Sequence, residues 1–299
     1  MKPSYFILGA PKCGTSAIAQ WLGEHPQGFF CDPKEPQFWC TDFPALKEEF
    51  GLTDAASYLA LFEGAEGRVA GEGSTIYLRS HAAAAEILAF QPDARFIVML
   101  RDPVEVAHAL HMERLYGARE DIEDFEEAWA AQEDRAAGRR IPRGCPDPVL
   151  LDYRGTAMFG EQLSRLFDVV PRERVLVLFQ SELKEDAAAV YARAREHVGL
   201  PDDGRTAFGR VNAAHGRRFK ALSNFILSPP PPLDKPIMAL RQFLIRHRFG
   251  PVEWLKSKFN KPQEREEMSE EFRVRLRAEF ADDTERLAAL LGRRPPWAD

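Results

Sequence analysis

Short apolar runs alternate with amphipathic segments along most of this chain. Three of the runs are almost continuously apolar and are bounded by charged or turn residues: Tyr5–Gly9, Arg95–Leu100 and Arg174–Phe179. This pattern is typical of central parallel strands, which are buried on both faces. A shorter run at Val69–Gly71 predicts one more strand.

Helical periodicity fills the intervals between these strands. The predicted helices are Thr15–Glu24, Ser80–Phe90, Asp102–Tyr116, Phe125–Ala137, Thr156–Phe167, Glu182–Val198 and Glu270–Leu291. Because strands alternate with helices, the pattern predicts an α/β fold with a doubly wound parallel sheet flanked by helices. The run Pro229–Pro232 must be extended. We therefore expect an α/β core over residues 1–228 and a helical C-terminal extension over residues 229–299 that packs on it, as a single domain overall.

Composition limits the classes of function. Hydrophobic residues make up 45% of the 299 residues and the net charge is −6, which predicts a globular protein and excludes a general nucleic-acid binder. No run approaches the roughly 20 apolar residues of a membrane span, and the first apolar run fits a strand better than a signal peptide. The four cysteines form no C-x-x-C pair and no cluster with histidine, which predicts reduced thiols, a cytoplasmic protein and no metal site. A disulfide between Cys31 and Cys40 is the alternative.

The loop Gly9–Ser16, between the first strand and the first helix, has the G-x-x-x-x-G spacing of a phosphate-binding P-loop. Its glycines let the backbone curl around an anion, and the amides that open the helix favour phosphate. An ordinary NTPase has lysine directly after the second glycine. Here Thr15 occupies that position and the lysine is Lys12. The loop therefore predicts a P-loop-like site for a phosphate donor handled without Mg²⁺; the alternative is a tight turn with no ligand.

Several further segments carry motifs that resemble those of one enzyme family, in the same order. They are Pro11–Ser16, Lys34–Trp39 (K-E-P-x-F-F), Gly71–Tyr77 (G-E-x-S-P-x-Y), Leu100–Val104 (L-R-D-P), Phe159–Leu163 with Pro171–Phe179, and Val211-Asn212 with Gly216–Lys220. The set resembles the sulfotransferases that use 3′-phosphoadenosine 5′-phosphosulfate (PAPS), in particular their heparan-type and bacterial branches. The likeness extends over nearly the whole chain.

The resemblance implies PAPS as the donor and a set of residues that bind it. These residues are Lys12, Cys13, Gly14, Thr15, Ser16, Ala17, Arg101, Ala109, Arg217, Arg218 and Lys220. Position 109 departs from the family pattern, which has a serine there that binds the 3′-phosphate together with the arginine. The second arginine of that helix is also absent, with Val106 in its place. The 3′-phosphate contact then depends on Arg101, on the basic loop at 217–220, or on a neighbour such as His108.

The resemblance also implies the catalytic groups. It places the general base at Glu35, and Lys12 is the candidate for stabilising the bridging oxygen and the leaving phosphate. A surface glutamate that merely pairs with Lys34 is the structural alternative. Other members of the wider family use a histidine base, which makes His108 and His111 the alternative bases; they lie three residues apart and share a helix face.

Three further residues are candidates for the acceptor side: Glu72, Tyr77 and Phe38. Glu72 fits equally well as the structural partner of a lysine or arginine. Phe38 fits as core or as pocket wall. The basic segment 237–261 is a candidate flap over the acceptor or a membrane-surface helix, with a packed surface helix as the alternative.

We therefore expect in-line, metal-independent transfer of a sulfuryl group to a hydroxyl or amine of a carbohydrate or small molecule. Two other classes of function stay open: a P-loop kinase-like nucleotide enzyme, and a non-catalytic nucleotide-binding protein on the same scaffold. Neither Arg101 nor Gln180, which follow the second and third strands, is a Walker-B acid, which disfavours the kinase.

Overall fold

The computed structural model describes residues 1–52, 54–209, 215–217, 260–262 and 268–298, with backbone alone at 49–50, 215–217 and 260–262. The chain divides into two compact units. The first contains Met1–Leu110, Arg154–Val211 and Glu270–Asp299, and the second contains His111–Tyr153 and Asn212–Ser269. The predicted boundary between residues 228 and 229 lies outside the described residues and stays a prediction.

The first unit is built on a five-stranded parallel sheet. Its strands are β1 (Tyr5–Gly9), β2 (Gly28–Phe30), β3 (Val69–Gly73), β4 (Arg95–Leu100) and β5 (Val175–Phe179). They lie in the order β2-β3-β1-β4-β5, and every neighbouring pair is parallel. The predicted fold class, a P-loop-like α/β fold with a parallel sheet flanked by helices, is confirmed.

The described helices lie before, between and after these strands along the chain or belong to the second unit. They are α1 (Thr15–Glu24), α2 (Pro44–Phe50), α3 (Ala55–Ala60), α4 (Ala83–Phe90), α5 (Pro103–Tyr116), α6 (Phe125–Ala130), α7 (Gln132–Ala136), α8 (Tyr153–Ala157), α9 (Phe159–Val169), α10 (Gln180–Glu185), α11 (Ala187–His197), α12 (Glu270–Glu279) and α13 (Ala281–Leu291). None of these helices is long and apolar enough to span a membrane.

The sequence pattern predicted the central strands and α1 well but missed breaks within helices. The single helix expected over Glu182–Val198 is two helices, because Asp186 turns out of helical geometry and caps α11 by accepting the Ala189 N–H. The helices expected over Phe125–Ala137 and Glu270–Leu291 are likewise each divided in two. Strand β2 was not predicted, because three residues are too few to show periodicity.

The core lies on both sides of the central strands. Every residue of β1 is buried, and in β4 only Arg95 is exposed. The rings of Phe6 and Phe96 stack with their centroids 6.0 Å apart. Burying each large apolar side chain stabilises the fold by about 1.5–3 kcal/mol, so the strand that leads into the phosphate loop is firmly held.

The C-terminal helix α13 packs on this core by capping the N-terminus of α9. The carboxylate of Asp283 in α13 accepts the backbone N–H groups of Gly160 and Glu161 at 2.7 and 2.8 Å, at the start of α9. A Cβ atom at Gly160 would lie 2.3 Å from the Asp283 carbonyl oxygen. Glycine is therefore required here so that the two helices can approach closely.

The second unit contains a buried ion pair. Arg135 Nη2 lies 2.6 Å from Glu120 Oε1, and the Tyr153 hydroxyl donates to the other Glu120 oxygen at 2.6 Å. His111 Nε2 lies 2.8 Å from the Ile122 carbonyl oxygen, and its ring packs on Phe125 and Tyr153. These contacts give His111 a structural environment in its own unit.

Candidate phosphate-binding and catalytic site

The loop after β1 has the backbone geometry of an anion cradle. Gly9 has φ +144° and Gly14 has φ +94°, conformations that favour glycine. Lys12 also has positive φ, at 63°, and its side chain is exposed. Helix α1 begins at Thr15 with no side-chain cap on its first turn. The positive end of the helix therefore faces the loop, as a bound phosphate requires.

Cys13 and Ala17 are both buried within this segment. The Cys13 thiol contacts the Pro11 carbonyl oxygen at 3.3 Å, and burial raises the pKa of the thiol well above its ordinary value. A neutral, buried thiol leaves only the backbone of Cys13 to contact an anion. All four cysteines are free, and the alternative disulfide between Cys31 and Cys40 is absent.

Lys34 reaches the phosphate loop from the segment after β2. Its Nζ lies 3.2 Å from both the Thr15 Oγ1 and the Ser16 Oγ, and 3.0 Å from the Glu35 Oε1. The sequence predicts Lys34 only as a partner of Glu35, and its contact with the loop was not predicted. Lys34 belongs to the K-E-P motif, but a local sequence pattern carries no information about contacts between residues 18 or 19 positions apart.

Glu35 is held at this position by three interactions. Its backbone N–H donates to the Gly73 carbonyl oxygen at 3.1 Å, at the end of β3. Its carboxylate accepts from Lys34 on one oxygen and from the Thr75 hydroxyl on the other, the latter at 3.0 Å. The pair with Lys34, which the structural alternative required, is therefore present. It is not an isolated surface pair, because Lys34 also contacts the loop hydroxyls. Thr75 was not predicted, although it stands where the family motif has proline.

Glu72 lies beneath this segment and is fully buried. Its carboxylate accepts from the Tyr58 hydroxyl at 2.8 Å and from the Ser74 hydroxyl at 2.9 Å, and the Ser74 oxygen in turn accepts the Gln37 N–H at 3.0 Å. Burial raises the pKa of Glu72 to about 7, and the hydrogen bonds from Tyr58, Ser74 and Tyr77 oppose that rise. The expected lysine or arginine partner is not found among these contacts. Glu72 supports the backbone that carries Glu35.

Tyr77 and Phe38 belong to the same buried layer. The Tyr77 hydroxyl accepts the Trp39 N–H at 3.2 Å, and the Phe38 ring stacks on Tyr58 with centroids 4.6 Å apart. Both side chains are buried, at 1% and 7% exposure. They fix the segment that follows Glu35, and the predicted acceptor contacts of Glu72, Tyr77 and Phe38 stay predictions.

Arg101 follows β4, at the sheet edge where parallel α/β sheets bind their ligands. Its Nη1 donates to the Lys12 carbonyl oxygen at 3.4 Å, and its Nη2 lies 2.9 Å from Glu105 Oε2. Gln180, after β5, also donates to the Lys12 carbonyl oxygen at 3.4 Å. The structure therefore brings Arg101 to the phosphate loop, and its binding of the 3′-phosphate stays a prediction.

Helix α5 carries the departures from the family pattern. Ala109 is half-buried, while Val106 and His108 are buried. Arg218 and Lys220 lie outside the described residues, and so does most of the segment 237–261. For Arg217 the structure describes only the backbone, in β6 (His215–Arg217), which pairs antiparallel with β7 (Asn260–Pro262). The binding roles predicted for these residues stay predictions.

Comparison with known proteins finds similar sequences and similar solved structures that are named as sulfotransferases. No protein-family model matches the chain. Human carbohydrate sulfotransferase 15 is 32% identical over an alignment that covers 42% of this chain and 29% of that protein, and the mouse protein of the same name is 30% identical with the same coverage. The chain therefore matches less than a third of the length of these curated relatives.

A solved structure matches over the whole chain. The sulfotransferase from Alicyclobacillus acidocaldarius superposes with a TM-score of 0.70 and 26% identity, over 99% of this chain and 98% of that one. The chain is therefore similar to a solved sulfotransferase over its whole length, and the resemblance to sulfotransferases that the sequence motifs predicted is confirmed.

Proposed function

We propose that this protein transfers a sulfuryl group from PAPS to a hydroxyl or amine of a carbohydrate or small-molecule acceptor. The observation that carries the proposal is the position of Lys34, which contacts the Glu35 carboxylate on one side and the hydroxyls of the phosphate loop on the other. This contact brings a candidate base to the end of the site where the 5′-phosphosulfate would bind. The curated relatives named carbohydrate sulfotransferases support a carbohydrate acceptor.

Sulfuryl transfer needs positioning and charge stabilisation more than covalent chemistry. A bond forms between the acceptor oxygen and sulfur, and the bond between sulfur and the bridging oxygen breaks. Glu35 takes the proton that the acceptor loses. The electron pair of the broken bond goes to the leaving 5′-phosphate, whose charge is offset by Lys12, Lys34 and the amides of Gly14–Ala17.

The two hydrogen bonds to Glu35 give the base a fixed orientation. Lys34 and Thr75 donate to different carboxylate oxygens. Each oxygen keeps further lone-pair capacity for the acceptor hydroxyl. At the other end of the donor, Arg101 has the planar fork that suits a phosphate group, and Arg217, Arg218 and Lys220 are the proposed residues of the loop that covers the nucleotide.

A thermal-unfolding experiment tests the donor assignment. Because a ligand that binds only the folded state raises its stability, 3′-phosphoadenosine 5′-phosphate (PAP) should raise the unfolding temperature in the presence of EDTA. Adenosine 5′-phosphate (AMP) should do so less, and ATP with Mg²⁺ should have no larger effect than AMP. Stabilisation by ATP with Mg²⁺ but not by PAP would favour the kinase-like alternative and overturn the proposal.

Turnover with labelled PAPS separates an enzyme from a non-catalytic nucleotide-binding protein. A crude metabolite or oligosaccharide extract serves as the acceptor pool, and mass spectrometry identifies the sulfated product. We expect product with the wild-type chain and none with Glu35→Gln. PAP binding with no sulfated product from any acceptor class would favour the non-catalytic alternative.

A further inference from the structure

Two arginines from distant parts of the chain share one carboxylate beside the phosphate loop. Glu105 Oε2 lies 2.9 Å from Arg101 Nη2, and Glu105 Oε1 lies 2.5 Å from Arg273 Nη1. Arg101 extends from the end of β4, whereas Arg273 is on α12, 168 residues after Glu105. All three side chains are mostly buried, with exposures of 10%, 26% and 25% for Arg101, Glu105 and Arg273.

The face of α5 that should receive the 3′-phosphate carries this glutamate. Glu105 and Ala109 lie four residues apart on one face of α5, and Arg101, which precedes the helix, reaches Glu105 with its Nη2. The family pattern supplies a serine at position 109, and here no hydroxyl is available there. Arg101 and Glu105 alone would offer a phosphate group no net positive charge, and Glu105 would repel it.

We propose that Arg273 neutralises Glu105 and thereby keeps Arg101 able to bind the 3′-phosphate of the donor. Arg273 is then a positioning residue, supplied by the C-terminal part of the chain in place of the groups that α5 lacks. The proposal rests on the proposed function, because it concerns the 3′-phosphate end of the same donor site.

The surroundings of Arg273 fit this role. On its own helix α12, the Glu270 Oε2 lies 3.7 Å from the Arg273 Nε. The hydrogen bond to Glu105 is the main reason that the pKa of Arg273 is raised above its ordinary value, and the negative charge of Asp102 also contributes to raising it. Phe272 and Leu276 on the same helix are buried, so α12 is anchored and Arg273 is held against Glu105.

The test compares two nucleotides that differ only in the 3′-phosphate. Calorimetric dissociation constants for PAP and AMP would be measured for the wild type, Arg273→Gln, Glu105→Gln and the double variant. We expect Arg273→Gln to weaken PAP binding by about tenfold, the size of a single partly buried charge interaction, and to leave AMP binding unchanged. Glu105→Gln added to Arg273→Gln should restore PAP binding, because the carboxylate that repels the phosphate is then gone.

Each other outcome counts against the inference. Unchanged PAP binding by Arg273→Gln overturns it, and so does an equal loss for PAP and AMP, which would mean that Arg273 acts on the fold. A loss that Glu105→Gln does not restore would mean that Arg273 binds the phosphate directly. Arg275→Gln is the matched control, because it removes the same charge from an exposed position on α12, where the guanidinium lies over the Phe272 ring. If the wild type itself does not prefer PAP to AMP, the proposed function fails first.

Discussion

The ammonium group of Lys34 lies 3.0 Å from the Glu35 carboxylate, so two adjacent residues point to the same place. In an extended segment neighbouring side chains point to opposite faces. Here Glu35 has φ +63°, in the left-handed region that a glutamate rarely adopts, and this breaks the alternation. The bond from the Glu35 N–H to the Gly73 carbonyl oxygen holds that conformation. Strained backbone of this kind is concentrated at functional sites.

Lys34→Met should impair both donor binding and turnover. It removes a cation that contacts the loop hydroxyls and one of the two donors to Glu35. We expect PAP to bind about tenfold more weakly, by the worth of one partly buried charged contact, and kcat to fall further. Calorimetry and initial rates with labelled PAPS measure the two effects. Lys47→Met is the matched control, because Lys47 lies over the Phe38 ring and does not contact the loop; equal effects of the two substitutions would contradict the role of Lys34.

Glu35→Gln should abolish most of the turnover and leave donor binding nearly unchanged. The amide keeps the size of the side chain but cannot accept the acceptor proton, so kcat should fall by about 10²–10⁴-fold, the usual worth of a positioned general base. Thr75→Val should lower kcat much less, because it removes one orienting hydrogen bond and keeps the carboxylate. Wild-type kcat for Glu35→Gln, measured with a matched acceptor, would make the assignment of the base wrong.

The bounds of several strands and helices could be predicted from the sequence, because local residue patterns determine them. β1, β4 and α1 have the predicted bounds, because continuous apolar runs and a glycine-bounded helix start are local signals. The contacts of Lys34 with Ser16 and of Arg273 with Glu105 could not be predicted, since they join segments that only the folded sheet brings together.

Glu72 illustrates the same limit at a predicted site residue. Its position in the G-E-x-S-P-x-Y motif indicated either a contact with the acceptor or a structural partnership with a lysine or arginine. Its partners are hydroxyl groups of Tyr58 and Ser74 instead. A buried carboxylate can be satisfied by charge or by neutral donors, and the choice depends on which side chains the fold places around it. Hydropathy pattern carries no information about that choice.

Glu72→Gln should change how stability depends on pH. The carboxyl has an ordinary pKa of 4.5, and its pKa in the folded protein is about 7. Between these pH values the folded state holds a proton that the unfolded state has lost. The contribution of Glu72 to stability is therefore full below about pH 4.5 and is lost as the pH rises through about 7.

Urea denaturation of wild type and Glu72→Gln between pH 4.5 and pH 8 measures this effect. Relative to the wild type, Glu72→Gln should gain stability over that range, by an amount on the order of 3 kcal/mol. The control is Glu63→Gln, the same substitution at an exposed position. A difference between Glu72→Gln and wild type that does not vary with pH would show that Glu72 is ionised in the folded state throughout.

Gly160→Ala should destabilise the first unit through the contact between α9 and α13. The added Cβ would lie 2.3 Å from the Asp283 carbonyl oxygen, which is backbone and cannot rotate away. Relieving the clash would move α13 and weaken the two hydrogen bonds by which Asp283 caps α9. Overpacking costs about 1–3 kcal/mol and a lost cap about 1 kcal/mol, so the free energy of unfolding should fall by about 2 kcal/mol or more in denaturant titration. Gly209→Ala is the control, because a Cβ there meets no atom within 4 Å. If both substitutions have the same small effect, the close approach of α9 and α13 is not needed for stability.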